Sequence, residues 1–333
     1  GDGRGLLLGE VQNQTLGSWD VYLKGSGPTR FARGFDGRAT LNSSIREHLA
    51  SEALHGLGIP TTRSLAIIGI RELIYRQRPE LAAILVRVAD SHIRFGSFEY
   101  FHYQGEKKNV ERLMEFCVQN YYPDITEESD RYRVFFQRTL NRTAKLIAKW
   151  QAFGFIHGVM NTDNMSITGA TFDYGPYGFM DRFAPKYTPN SSDTHGRYAY
   201  NQQPGIGLWN LTRFAETLVP LLGDDQEAGV EIANDSLGAY AEKFQTAYYL
   251  GLCRKLGFAE SNERNRELAG ELLEIMADQK ADFTLTFRGL SELGKGEPSG
   301  EQGARSLFAD PAAFDVSTVR RTVMRCVALP PTR

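Results

Sequence analysis

One helix and the loop that follows it constrain this chain most. Phe136, Leu140, Thr143, Ile147 and Trp150 recur on one face of a long helix that ends near Gly154. The chain then runs straight into HGVMNTDNMSITGATFDYGPYGF, His157 to Phe179. This segment carries Asn164 and, nine residues later, Asp173, read as two loops joined by one β-hairpin. A hard cation on a triphosphate takes rigidly held oxygen ligands, and this pair supplies them. Each residue alone also has a plain structural reading, because Asp-Tyr-Gly is a common turn and an Asn can bond backbone in its own loop. Together, behind a long helix and a His-Gly pair, they favour the metal reading.

The first hundred residues mix strand and helix. LLLGEV (Leu6–Val11), WDVYLKG (Trp19–Gly25), TRSLAIIGI and AAILVRVAD read as strands. GSGPTRFARGFDGRAT is a glycine-rich, basic loop. SSIREHLASEALHGLG reads as a helix, with Ile45, Leu49, Ala53 and Leu57 at helical spacing and Gly58 as terminator. QGEKKN (Gln104–Asn109) lies where a hinge fits. Beyond it helices dominate: LWNLTRFAETLVPLL, DSLGAYAEKFQTAYYLGLCRKLG and RNRELAGELLEIMADQ, with LGKGEPSGEQGAR as a flexible loop. The expected class is α+β. A small β-rich N-lobe (1–103) would bind nucleotide phosphate, and a mainly helical C-lobe (104–333) would carry the catalytic and metal loops. That is the two-lobed layout of a protein kinase, an analogy of fold that leaves the chemistry open.

A kinase catalytic loop places an Asp two residues after its His as proton acceptor. Here that position is Val159, whereas Asp163 stands directly before Asn164. Asp163 reads either as a turn former or as the group that takes over the vacant task. Lys24 closes a strand, either as an edge lysine or as a phosphate contact fixed by Glu47 on the next helix. Ser44-Ile45-Arg46-Glu47 equally fits a capping box. Arg87 sits on an apolar strand, where a charge is costly unless paired. With Arg94 and Lys24 it suggests a positive cradle for buried phosphates. His157 is expected to hold its loop by a hydrogen bond.

Composition narrows the function classes. A hydrophobic share of 41% and a charged share of 23% suit a globular enzyme, and a net charge of -2 gives no sign of nucleic-acid binding by bulk charge. No run of about 18 apolar residues is present to span a membrane. Cys117, Cys253 and Cys326 have neither zinc nor disulfide spacing and read as reduced thiols. The N-x-S/T triplets at Asn141 and Asn210 read as chance matches.

GDGR, LKGSGPTRFARGFDGRATLNSSIREHLASEALHGLGIPTTRSLA, VRVADSHIRFGSFEYF, HGVMNTDNMSITGATFDYGPYGFMD and GRYAYNQQPGIGLWNL closely resemble the selenoprotein O family, called YdiU in bacteria, over residues 1 to about 215. The resemblance implies a kinase-like enzyme that transfers AMP from ATP to Ser, Thr or Tyr hydroxyls of protein substrates. ATP would bind inverted, with Mg²⁺ or Mn²⁺ as cofactor and pyrophosphate as leaving group. It implies Asp163 as proton acceptor and Asn164 and Asp173 as metal ligands. Lys24 paired with Glu47, and Arg87 with Arg94, match phosphate-binding positions. Gly1, Gly3, Arg4, Asp36 and Gly37 match further nucleotide contacts. A monomer acting without nucleic acid or membrane is expected, cytoplasmic in a bacterium or mitochondrial in a eukaryote; no targeting segment is visible. Competing readings are a nucleotide-binding pseudokinase scaffold and, less favoured because of Val159, a phosphotransferase. Family members usually carry a further segment before GDGR and continue past Arg333 to a redox-active Cys or selenocysteine. Their Asn-His-Ser-Asp reads Asn190-Ser191-Ser192-Asp193 here.

Overall fold

A computed structural model describes residues 3–15, 17–32, 34–293 and 305–310. Gly1, most of the LGKGEPSGEQGAR loop and Cys326 lie outside the described residues. The chain divides into two compact units built from interleaved stretches. The first comprises Gly1–Leu146, Val159–Gly175 and Gly207–Ala239; the second comprises Ile147–Gly158, Pro176–Ile206 and Tyr240–Arg333.

The first unit opens with a five-stranded antiparallel sheet. Its strands are β1 (Gly5–Asn13), β2 (Gly17–Lys24), β3 (Ala39–Thr40), β4 (Arg63–Tyr75) and β5 (Pro79–Ala89). The order is β1-β2-β5-β3, with β4 also paired to β5. A register shift between Leu7 and Gly9 marks a bulge in β1. Helix α1 (Leu41–Gly56) starts at Thr40, whose hydroxyl accepts the Ser43 N–H at 3.1 Å.

The apolar stripe that marks α1 in the sequence is not its buried face. Ile45, Leu49 and Leu57 are 42%, 59% and 41% exposed, whereas Ser44, Glu47, Ala50, Ser51 and Leu54 face inward. Glu47 explains the rotation: its carboxylate is drawn into the unit by two buried cations described below. It does not cap the helix start, so the capping-box reading is replaced by the Thr40 cap.

Helix α2 (Phe95–Tyr103) is fixed from its inner face. Phe95 and Phe98 are fully buried. Phe95 stacks on Phe214 with centroids 4.5 Å apart, and Phe98 meets the same ring edge-on at 5.0 Å. Phe135 and Phe136, near the start of α4 (Arg131–Ala152), close the cluster at 6.2 and 6.0 Å from Phe214. Between α2 and α4 lies α3 (Lys107–Tyr121), separated from α2 by the break at Gln104–Glu106. Phe214 itself belongs to α5 (Gln203–Leu222), and α6 (Gln226–Gly238) completes this unit.

The second unit holds β6 (Phe155–Ile156) paired to β7 (Gly178–Phe179), and helices α7 (Tyr240–Lys255), α8 (Glu263–Asp278) and α9 (Phe283–Leu293). Its core joins Ile156, Met180, Phe183, Leu252, Leu272 and Phe283. Gln203 clamps the strand end: its amide donates to Phe155 O at 3.0 Å and accepts the His157 N–H at 2.9 Å. His157 thus anchors its loop through its backbone, while its ring packs against Trp150. DSLGAYAEKFQTAYYLGLCRKLG is not one helix; it breaks after Gly238, a residue poorly suited to a helix interior. Among the described residues, no helix is long and apolar enough to cross a membrane.

Phe214 ties α2 to α4 and α5, so Phe214→Ala is expected to cost about 3–5 kcal/mol. Chemical denaturation measures this; a loss below about 1 kcal/mol would show that the cluster collapses around the gap.

Candidate active site

The antiparallel register of β2 and β5 sets Lys24 opposite Leu85 and Tyr22 opposite Arg87. Side chains alternate along a strand, so Lys24 and Arg87 emerge on one face. Helix α1 brings Glu47 to that face. One carboxylate oxygen of Glu47 accepts from Lys24 Nζ at 2.7 Å; the other accepts from Arg87 Nε at 2.9 Å and also from Arg87 Nη2. All three residues are buried: Lys24 is 6%, Glu47 2% and Arg87 1% exposed. The pairing of Lys24 with Glu47 and the buried ion pair at Arg87 are therefore one network.

Asp173 joins it from the segment His157 to Phe179. Its Oδ1 accepts from Lys24 Nζ and, at 3.2 Å, from Arg87 Nη2. Its Oδ2 lies 3.7 Å from Arg94 Nη1. Burial alone would push the Asp173 carboxyl up, but the charges of Lys24, Arg87 and Arg94 outweigh it and hold the group well below the usual carboxylate range. Burial would likewise pull Arg87 down, and the neighbouring Glu47 and Asp173 charges more than offset it. Among the described residues, Arg87 Nη1 is buried with no hydrogen-bond partner. The backbone of Asp173 has φ +64°, one of two non-glycine residues with positive φ among those described. Such a conformation is held only where the surroundings over-determine it, and here three cations do so.

Asn164 and Asp173 are not joined by a β-hairpin. The connection is a tight turn in which Gly169 N–H meets Ser166 O at 3.3 Å. Single bridges tie its flanks elsewhere, Ser166 to Arg94 and Thr171 to Thr61. The preceding loop is held by Asn210, whose amide donates to Met160 O at 3.0 Å. Asn210 is fully buried, and its triplet is part of this scaffold. Asn164 Nδ2 donates to Val159 O at 2.9 Å, which leaves the amide oxygen as the ligand-type atom.

A cleft of about 1280 Å³ collects the remaining candidates. Gly3, Arg4, Asp36, Arg94, Asp163, Asn164 and Asp173 all line it. Asp163 is exposed there. Lys24, Arg87 and Glu47 reach it through Asp173. Asp36 is held by a bidentate pair with Arg76, both contacts 2.8 Å, and by the Arg38 N–H at 2.9 Å. The Arg76 hydrogen bond, chiefly, lowers its carboxyl to about 2. Gly37 has φ +64°, and a Cβ there would stand 1.9 Å from Gly27 O, so only glycine closes this loop. Sequence reasoning missed several cleft residues: Arg30, Phe31, Phe35, Tyr75, Arg76 and Glu99. No motif singles them out; Arg76 alone was discoverable, as a charged residue in the RQRP turn between two apolar strands.

The donor set fits a hard divalent cation shared with phosphate. Asp173 supplies an ionised carboxylate and Asn164 a neutral oxygen, and Mg²⁺ completes such a shell with phosphate oxygens and water. Glu47→Ala would leave Lys24 and Arg87 buried without their shared anion, and about 3 kcal/mol of stability should be lost. A denaturation midpoint unchanged from the parent would show that water replaces the carboxylate.

Comparison with known proteins places the chain as a whole. The family described as Protein adenylyltransferase SelO matches residues 1–312. A protein nucleotidyltransferase YdiU of Thioalkalivibrio sulfidiphilus is 49% identical over 315 residues, covering 95% of this chain and 64% of the relative. Those of Myxococcus xanthus and Nitrobacter hamburgensis are 46% and 48% identical, with 63% and 62% of their lengths covered. The chain therefore spans somewhat less than two thirds of the curated relatives it matches. On the extent of these matches, the chain belongs to the SelO family.

Proposed function

We propose that this chain carries the catalytic centre of a protein adenylyltransferase that moves AMP from ATP to a Ser, Thr or Tyr hydroxyl of a protein. The observation that carries the reading is the polarity of the cleft. Three cations, Lys24, Arg87 and Arg94, converge on Asp173, and all three are buried. Asp163, a carboxylate outside this cluster, is exposed at the cleft wall. A terminal phosphate suits the cationic end, which leaves the α-phosphate beside Asp163. That is an inverted nucleotide, and it accounts for Val159: with the reacting phosphorus elsewhere, the usual base position has no task. A kinase-like two-lobed arrangement dividing near residue 103 is part of this proposal, as is a cytoplasmic setting like that expected of ATP-dependent bacterial enzymes.

In the proposed step, Asp163 takes the proton of the acceptor hydroxyl. The acceptor oxygen bonds to the α-phosphorus, the bond from that phosphorus to the bridging oxygen of the β-phosphate breaks, and pyrophosphate leaves. Lys24 and Arg87 hold the outermost phosphate, and Arg94 lies nearer the reacting end because its guanidinium also donates to Asp163 O at 3.1 Å. A Mg²⁺ or Mn²⁺ on Asn164 and Asp173 would neutralise phosphate charge and orient the leaving group.

Asp173→Ala should abolish both metal-dependent ATP binding and transfer, because an anionic ligand is lost. Asp163→Ala should bind ATP as the parent does while transfer slows by about 10² to 10⁴. Two radiolabels test the reaction itself. With a generic protein acceptor and Mg²⁺, label should stay on protein from α-labelled ATP and not from γ-labelled ATP. Retention from γ-labelled ATP alone would make the protein a kinase; ATP bound with neither label retained would make it a binding module.

A further inference from the structure

We propose that Gly96 is a positioning residue for the transfer reaction, acting by the space its missing side chain leaves for the Asp163 carboxylate. This inference rests on the assignment of Asp163 as proton acceptor. The first turn of α2 and the loop carrying Asp163 are fastened at successive points. Ile167 N–H donates to Ile93 O at 3.3 Å, Phe95 N–H donates to Met165 O at 3.0 Å, and Arg94 Nη1 donates to Asp163 O at 3.1 Å. Thr162 Oγ1 donates to the Glu99 carboxylate. Gly96 and Glu99 are three residues apart on one helix, so they share a face. That face receives Thr162 and Asp163 as a pair.

The fit at Gly96 is close. A Cβ there would stand 2.2 Å from Asp163 Oδ1, 3.2 Å from Cγ and 3.4 Å from Cα. The carboxylate therefore occupies the volume that any other residue would fill. The helix itself does not require glycine at this position, because Gly96 is absent from the residues with positive φ. Alanine is the better helix former. Phe95 and Phe98, on other faces of α2, pack against Phe214 and hold the helix in place. The short Asp163 side chain is then the part that must move. Substitution at Gly96 thus spares the fold and displaces one reactive group, the reverse of what a structural glycine does.

The test is a mutant cycle on the full chain: the parent, Gly96→Ala, Asp163→Ala and the double variant. Each is measured for transfer from α-labelled ATP at saturation, for ATP affinity and for melting temperature. Gly96→Ala is expected to lower kcat by on the order of 10²-fold, the penalty of a displaced catalytic group. Its melting temperature should be equal to or above that of the parent, with ATP affinity unchanged. Adding Gly96→Ala to Asp163→Ala should change nothing further, because the displaced carboxylate is already gone. Parental kcat in Gly96→Ala would overturn the proposal. So would a loss of ATP affinity or melting temperature that tracks the lost activity, or an undiminished rate loss in the Asp163→Ala background. If Asp163→Ala itself transfers at the parental rate, the base assignment fails and the positioning role falls with it.

Discussion

Everything at the site depends on one carboxylate shared between two buried cations. Glu47 reaches Lys24 from one oxygen and Arg87 from the other. Neither cation would be tolerated at this depth alone. Their positions on neighbouring strands are set by the β2–β5 register, and the orientation of α1 follows from the need to deliver Glu47. Asp173 then closes the network from a separate part of the chain. The unusual backbone of Asp173 persists because its side chain is held at three points.

The energetic logic is one of surplus and deficit. A buried ion network contributes little net stability compared with an apolar core of equal volume. Its retention between a sheet and a helix is best understood as machinery. The aromatic cluster around Phe214 supplies the packing that the network does not, and it holds α2 rigidly enough for sub-ångström fit at Gly96 to matter.

The sequence was legible where chemistry repeats in short spacing. The strands and the long helix could be read directly, because periodicity reports local structure, whereas the hairpin expected between Asn164 and Asp173 is a tight turn. The pairing of Lys24 with Glu47 was one of two open readings, and only tertiary contact decides between them. The face of α1 could not be read from its apolar residues. Ile45 and Leu49 suggest one side, but burial of a paired Glu overrides the stripe. Gly96 was equally invisible: its meaning lies in a carboxylate 67 positions further on. Glu99 joins the cleft through a contact with a distant segment, which no local pattern encodes. The break after Gly238 arises because a helix-weak residue interrupts an otherwise periodic stretch.

Strand β1 has a different implication. It stands at the end of the sheet order, and Leu6, Leu7, Leu8 and Val11 are each about half exposed. An outer strand of this kind is a template on which a further strand can assemble. The bulge at Leu7–Gly9 interrupts the regular spacing of its backbone groups. Bulges of this kind are among the devices by which a sheet edge is blunted against long continuous pairing with another chain.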